Sequence, residues 1–487
     1  MSDLIPQEPT QEPSQNFDQQ VPQQNSQSVS NCFSSLSLQQ GLVDNLASLG
    51  YETMTPIQAQ ALPPIIEGRD VIGQGKTGSG KTAAFGLGLL QRLDVKKFRI
   101  QSLVLCPTRE LADQVAKEIR RLGRGIHNIK VLTLCGGSPF GPQVGSLEHG
   151  AHIVVGTPGR IEEHVRKKNL DLSHLSTLVL DEADRMLDMG FAESLEEIID
   201  AAPKQRQTLL FSATFPSQIR RMSMTIMREP LQVHVESTHE ATTIQQLFFK
   251  VDDEQRLAAV ELLLLKYAPE TAVVFCNTKV DTQEVVYYLQ DQGFAAIALN
   301  GDLEQRDRDV TLVRFSNKSA QVLVATDVAA RGLDIDALDM VINFHLPRET
   351  DVHVHRIGRT GRAGAKGLAC SLFSEKERFK LSTLEERAGQ PVVYDILPNR
   401  QDLHNTPLVP EMVTLQIDGG RKQKIRPGDI VGCLTGDNTV AGTDVGKIML
   451  FDNSAFVAVK HAAASAALKK IQTGKLKGRS FRVRKIS

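Results

Sequence analysis

Two successive series of short, wholly apolar runs, each run separated from the next by a longer amphipathic stretch, restrict this chain more than any other feature. The first series contains Ser102–Cys106, Ile153–Val155, Thr177–Leu180 and Thr208–Phe211, with helix-period segments such as Glu110–Leu122 between them. A strand that is apolar on both sides of its backbone must be covered on both faces. That is the condition of a parallel sheet flanked by helices. The pattern pauses in the polar stretch Ser237–Thr243 and restarts with Ala272–Phe275, Ala295–Leu299, Gln321–Ala325, Met340–Phe344 and Gly367–Phe373. The expected fold class is therefore α/β, with tandem parallel-sheet domains over residues 31–236 and 244–394. After a second linker at Pro398–Pro410, four short strands are expected at Val413–Ile417, Lys447–Phe451, Ala455–Val459 and Phe481–Lys485. Helices over Asp429–Leu434 and His461–Ile471 would give the β-α-β-β-α-β order of a small α+β, RRM-like domain at 411–487. Residues 1–30, rich in Gln, Pro and Ser, lack the apolar surface needed to offset ordering entropy and are expected to be a disordered tail.

A length of 487 residues suits about three domains. The charges nearly cancel, 56 Lys+Arg against 57 Asp+Glu, but they are segregated. Residues 411–487 hold 14 Lys/Arg and 6 Asp/Glu, so 14 − 6 = +8, and the remainder carries −1 − 8 = −9. A basic C-terminal unit on an acidic body points to an anionic partner for that unit. No apolar run approaches a membrane span, and the N-terminus lacks the basic start and apolar stretch of a secretion signal. The six cysteines are scattered, mostly within strand-like runs, without spacing for zinc or a disulfide framework. His353 and His355 have no third ligand cluster beside them, so zinc is rejected. The expectation is a reduced, soluble, cytoplasmic protein that contacts no membrane.

The most specific local signal is Gly75-Lys-Thr77-Gly78-Ser79-Gly80-Lys81-Thr82, which follows apolar Val71-Ile72 and opens onto helix-like Ala83-Ala84-Phe85. Glycines at this spacing let consecutive backbone N–H groups and a helix N-terminus face phosphates. Lys81 would reach the β- and γ-phosphates, and Thr82 would bind Mg²⁺. Asp181-Glu182-Ala183-Asp184 ends the apolar run Thr177–Leu180, where α/β proteins bind ligands. Alone, such carboxylates are more often a solvated helix start; together with the P-loop they suit Mg²⁺ ligation by Asp181 and general-base work by Glu182.

The motifs jointly resemble, in order and spacing from Phe33 to Arg362, those of the DEAD-box RNA helicases. That resemblance implies two RecA-like domains, an ATPase stimulated by RNA, and ATP with Mg²⁺ as cofactors. Phe33, Tyr51 and Gln58 resemble the family's adenine-reading Q motif. Thr108 and Arg109 in Pro107–Leu111, Gly137, and Thr157 and Arg160 in Thr157–Arg160 resemble its RNA-contacting elements, as do Arg308 and Thr326 in the second domain. Asp184, Ser212, Thr214 and His355 resemble the residues that couple hydrolysis to strand separation. Asp334 resembles a ribose contact, and Arg359 and Arg362 the arginine fingers. Read without the family, the arginines of that run are a solvated basic face. At Gly75 the family usually has Ala, a departure that puts nothing in doubt.

The expected mechanism splits the ATP site between the lobes. The first lobe is read as lacking cations for charge developing on the γ-phosphate, and the second supplies them when RNA draws the cleft shut. Contacts to the RNA backbone position without reading sequence, so any preference falls to residues 411–487. There an RRM's aromatic stacking surface is poor, with only Phe456 on the third strand. Lys469, Lys475, Lys477, Arg479, Arg482 and Arg484 instead concentrate charge on the last helix, loop and strand, which suits a structured hairpin held by phosphates. A solvated basic tail is the bland alternative. Leu415–Gly420, Arg426–Gly432, Gly446–Ile448 and Gly478–Arg484 resemble the C-terminal domain of the DbpA-type subfamily. That likeness implies a 23S rRNA hairpin as target, pre-50S particles as partner, a role in ribosome biogenesis and a monomeric enzyme. An ATP-gated RNA clamp that barely turns over and a DNA translocase are the competing readings. Glu182, Arg359 and Arg362 argue against the first, the Q motif and the RNA-like module against the second.

Overall fold

The computed structural model describes residues 31–75, 78–235, 244–330, 338–361, 366–389 and 391–486. The first lobe is a parallel sheet of β1 (Val71–Gln74), β2 (Ser102–Leu105), β3 (Val131–Leu134), β4 (Ile153–Gly156), β5 (Thr177–Asp181), β6 (Gln207–Ser212) and β7 (Leu231–His234). Its order is β3-β4-β2-β5-β6-β1-β7. The central strands β2, β5 and β6 are buried along their whole length, so helices must cover both faces. One of them, Arg109–Leu122, buries Leu111, Val115, Ala116, Ile119 and Leu122 on a single stripe, and the Thr108 hydroxyl caps it by accepting the Leu111 N–H at 3.3 Å. β1, β5 and β6 stand side by side, so Gln74, Asp181 and Ser212 end on one rim of the sheet.

The second lobe repeats this plan with β8 (Ile244–Lys250), β9 (Ala272–Cys276), β10 (Ala296–Leu299), β11 (Val322–Thr326), β12 (Met340–Asn343), β13 (Gly367–Phe373) and β14 (Tyr394–Asp395). The order β10-β11-β9-β12-β13-β8-β14 is that of the first lobe, strand for strand, and every pairing is parallel. Edge strands β3, β7 and β14, and β8 beside the edge, are those the apolar-run criterion passes over. They are covered on fewer sides and therefore carry polar residues such as Gln232 and Gln245. The segment 398–410 is not a free linker: Asn405 Nδ2 donates to the Leu265 carbonyl at 2.8 Å and Arg400 pairs with Glu261 at 3.5 Å, pinning it along the second lobe.

The C-terminal module is an antiparallel sheet of β15 (Met412–Ile417), β16 (Val445–Leu450), β17 (Ala455–Lys460) and β18 (Val483–Ile486), ordered β16-β17-β15-β18. Helices Pro427–Thr435 and Ala464–Thr473 cover one face, where Leu415, Ile417, Val457 and Val459 form the core. The opposite face, on which Thr414, Gln416, Phe456 and Ala458 stand, is also buried. The second lobe meets it at Thr414. Asn317 Nδ2 donates to Thr414 Oγ1 at 3.1 Å, the Ser319 and Thr414 hydroxyls meet at 2.7 Å, and Lys447 Nζ donates to Ser316 Oγ at 2.5 Å. Phe456 is 3% exposed, its ring edge-on to Phe451 at 5.4 Å, and is closed to bases. A Thr414→Arg substitution puts a long cation into this seam and should release the module from the second lobe. Amide protection at 316–319 in hydrogen exchange is expected to fall while the module's own melt is retained, and unchanged protection would show that the seam does not hold.

Candidate active site

The P-loop is built by backbone geometry that only glycine tolerates. Gly78 and Gly80 have φ of +84° and +96°, and a Cβ on Gly80 would lie 2.5 Å from Gln58 Nε2. The Q-motif residues brace this loop. Gln58 Oε1 accepts the Thr55 N–H at 2.9 Å, its Nε2 donates to the Gly80 carbonyl at 3.2 Å, and Thr55 Oγ1 donates to the Ser79 carbonyl at 2.8 Å. Both ends of the Gln58 amide are thus engaged within the protein. Phe33 is buried edge-on to Tyr51 at 5.9 Å, and the Tyr51 hydroxyl donates to Glu118 at 2.9 Å. Thr82 stands in the first turn of the helix Lys81–Gln91, which the loop opens. Thr77, Asp334 and Arg362 lie outside the described residues.

Lys81 is buried and donates through Nζ to the Gly75 carbonyl at 2.5 Å. Burial lowers its pKa, against the pull of Asp181 and Glu182. Burial likewise pushes Asp181 up to about 7, so this carboxyl ionises fully only with a cation beside it. Asp181 Oδ1 and Ser79 Oγ are buried without a hydrogen-bond partner among the described residues. A carboxylate oxygen left bare beside a phosphate cradle fits a divalent cation such as Mg²⁺. Glu182 sits in the left-handed region, φ 53° and ψ 51°, and is buried. Asp184 receives the Thr214 N–H at 2.9 Å and its hydroxyl at 2.7 Å. Burial alone would raise the Asp184 pKa; these hydrogen bonds bring it below the ordinary carboxylate range. Ser212 Oγ donates to the Thr214 carbonyl at 2.6 Å, closing the link between β5 and β6.

The two lobes face each other across a cleft of about 490 Å³, lined by Asp184, Arg185 and Thr214 from one side and Asp327, His355 and Arg359 from the other. His355 is held neutral, its pKa brought down to about 4 by burial and then by Arg185. Arg356, in the same run, is not a solvated face. It is 2% exposed and donates to both Asp327 oxygens at 2.7 Å, to Asn343 and to the His345 carbonyl. The reading that the first lobe lacks a cation here is incomplete: Arg185 is buried with its Nη1 3.5 Å from Glu182. Its single position after Asp184 carries no spacing signal, so nothing in the sequence singles it out.

Of the residues matched to RNA contacts, Gly137 (φ +69°) makes room for Arg109, whose Nη1 would lie 2.6 Å from a Cβ there. Arg109 Nε and Nη1 have no hydrogen-bond partner among the described residues. Thr157 Oγ1 accepts the Gly136 N–H at 3.4 Å, and Arg160 donates to the Ser138 carbonyl at 3.0 Å. Arg308 crosses between lobes, pairing with Glu110 at 2.6 Å and donating to the Ala329 carbonyl; Thr326 ends β11. In the module, Lys469, Lys475, Lys477, Arg479, Arg482 and Arg484 are all exposed. Arg484 lies apart, donating to Gln416 Oε1 at 3.0 Å. The structure adds Arg421, Lys422, Lys424 and Arg426, also exposed. Lys477 pairs with Asp429 at 3.7 Å and the Phe481 ring packs on Gly419, so this loop meets the Lys475–Arg482 turn at one end of the module. Four basic residues within six positions were the available signal.

Comparison with known proteins agrees with this geometry. The chain matches the DEAD/DEAH box helicase family over residues 55–222, the helicase conserved C-terminal domain over 255–364 and the DbpA RNA binding domain over 414–485. It is 52% identical over 453 residues to the ATP-dependent RNA helicase DbpA of Escherichia coli, covering 93% of this chain and 99% of that protein. It is 44% identical over 355 residues to the ATP-dependent RNA helicase CshA of Listeria monocytogenes, covering 73% of this chain and 68% of that one. Among solved structures it is similar to S. cerevisiae Dbp5 bound to RNA and ADP BeF3, with a TM-score of 0.69 at 28% identity over 76% of this chain and 97% of that one. Mss116p bound to ssRNA and AMP-PNP gives 0.67 at 26% identity, covering 75% and 78%.

The second lobe's buried histidines make stability depend on pH. His353, 3% exposed and stacked on Phe248, has its pKa brought down to about 4 by burial and then by Arg356. The unfolded chain protonates this histidine near pH 6.5 while the folded one does not, so stability falls as pH drops from about 6.5 to about 4. The loss amounts to at most about 3 kcal/mol. His353→Gln removes the titration and keeps a donor for Gln246. Urea unfolding at pH 7 and pH 4.5 should show a smaller acid loss in this variant than in the parent; equal losses would contradict the assignment.

Proposed function

The chain belongs to the DEAD/DEAH-box helicases and is an ATP-dependent RNA helicase of the type that carries a DbpA RNA-binding domain; from that premise we propose that its module directs local unwinding to a hairpin of 23S rRNA during large-subunit assembly. The observation that carries this reading is the placement of charge. The module's outer sheet face is buried, whereas the basic loop 421–426 and the turn 475–482 stand together, exposed, at its end. A rim of cations without aromatic stackers suits the phosphates and shape of a folded hairpin better than splayed bases. The enzyme acts as a monomer on pre-50S particles in the cytoplasm. No helix among the described residues is long and apolar enough to cross a membrane.

For hydrolysis, Lys81 and the P-loop amides hold the β- and γ-phosphates, and Phe33, Tyr51 and Gln58 form the adenine end. Asp181 and Thr82 would hold Mg²⁺, which would supply charge neutralisation at the phosphates. Glu182 accepts a proton from the attacking water as its oxygen bonds to the γ-phosphorus and the bond to the bridging oxygen breaks. Arg359 and Arg362 come from the second lobe to stabilise the charge that develops, so turnover waits on closure. RNA held by its backbone through Thr108, Arg109, Gly137, Thr157, Arg160, Arg308 and Thr326 favours the closed state because it binds that state better. Asp184, Thr214, Ser212 and His355 carry the phosphate's state to the strand grip. Solved neighbours holding RNA and a nucleotide analogue support this arrangement.

Lys81→Ala should abolish RNA-stimulated ATP hydrolysis, and Glu182→Gln should stop chemistry while ATP and RNA still bind. Parent-like turnover in either variant, in a steady-state ATPase assay, would overturn the assignment. Removing 411–487 should leave activation by generic RNA but erase the preference for the 23S hairpin. Preference that survives the truncation would place specificity in the lobes. Equal activation by duplex DNA would favour a DNA translocase.

A further inference from the structure

The buried ion pair between Glu182 and Arg185 has no place in the scheme above, although it sits at the reacting end of the site. Glu182 leaves β5 in the left-handed region, which for a residue with a side chain persists only where the surroundings hold it. Its side chain is buried. A buried carboxylate needs a cation or hydrogen-bond donors, and the ion partner of Glu182 is Arg185, three residues on and also buried. Both side chains are less than a tenth exposed, 6% for Arg185 and 7% for Glu182, and their 3.5 Å separation is too long for a hydrogen bond. Glu182 Oε2 and Arg185 Nη1 are accordingly both without a hydrogen-bond partner among the described residues. Arg185 also lines the cleft beside Asp184, with His355 and Arg359 on the opposite wall.

We propose that Arg185 is a positioning residue for ATP hydrolysis: its guanidinium, facing Glu182 Oε2, holds that carboxylate aimed at the attacking water. Arg185 sits on the first lobe and acts through Glu182, whereas Arg359 and Arg362 are brought by the second lobe and act on the phosphate. The two kinds of cation therefore fail differently when removed. The inference rests on Glu182 being the base.

The test is a double-mutant cycle in the full-length protein, measuring kcat, the KM for ATP and RNA affinity for Arg185→Gln, Arg185→Lys, Glu182→Gln and the double variants. Arg185→Gln should lower kcat by about 10²-fold, the lower end of what a placed base contributes. KM for ATP and RNA affinity should stay within about two-fold, as expected of an interaction made only in the transition state. Arg185→Lys, which keeps the charge but not the fork, should recover part of the rate. In the Glu182→Gln background neither Arg185 change should slow the residual rate further. Parent-like kcat in Arg185→Gln, or an undiminished loss in the Glu182→Gln background, would overturn the proposal. Should Arg185→Gln fail to fold, the Lys arm of the cycle carries the same decision. Full activity in Glu182→Gln alone would instead sink the base assignment itself, a distinguishable result.

Discussion

Three carboxylates crowd the end of one fully buried strand, and the need to compensate them organises the catalytic half of the molecule. Asp181, Glu182 and Asp184 all lie within the protein, where an isolated ionised carboxylate costs several kcal/mol. Each finds a different answer. Asp184 is satisfied by Thr214 across β5 and β6. Glu182 takes Arg185. Asp181 has Lys81 close enough to lower its pKa, yet burial prevails and pushes it up to about 7.

The same constraint explains why the second lobe matters to the first. Across the cleft it offers Arg359 and a histidine kept uncharged by burial and by Arg185. His355 thus adds no second positive charge near Arg185, and the cationic contribution on that wall falls to arginines. Arg356 is taken out of play by Asp327, since a guanidinium with all its donors used inside one lobe cannot follow a ligand. Residues that look alike within one short run are therefore sorted by their partners into a structural clamp and a cleft-facing cation. Between the lobes, the Arg308–Glu110 pair joins two segments that the motif order alone would assign to RNA.

The module repeats this logic at a surface. Its outer sheet face is buried and meets the second lobe at Thr414, which leaves the exposed charge on the rim where loop 421–426 and turn 475–482 converge.

The doubly buried strands, the P-loop glycines and the clustering of positive charge at the C-terminus were readable along the chain, because local hydrophobicity and spacing encode them directly. Edge strands β3, β7 and β14 were not, since their half-covered faces carry mixed residues. Nor could the sequence tell Arg185 or Arg356 from a solvated cation, show Gln58 clasped by Thr55 and Gly80, or reveal Phe456 as covered. Composition and periodicity report what each segment prefers. Which polar groups meet depends on the register and crossover of elements far apart in the chain, and only the folded arrangement decides that.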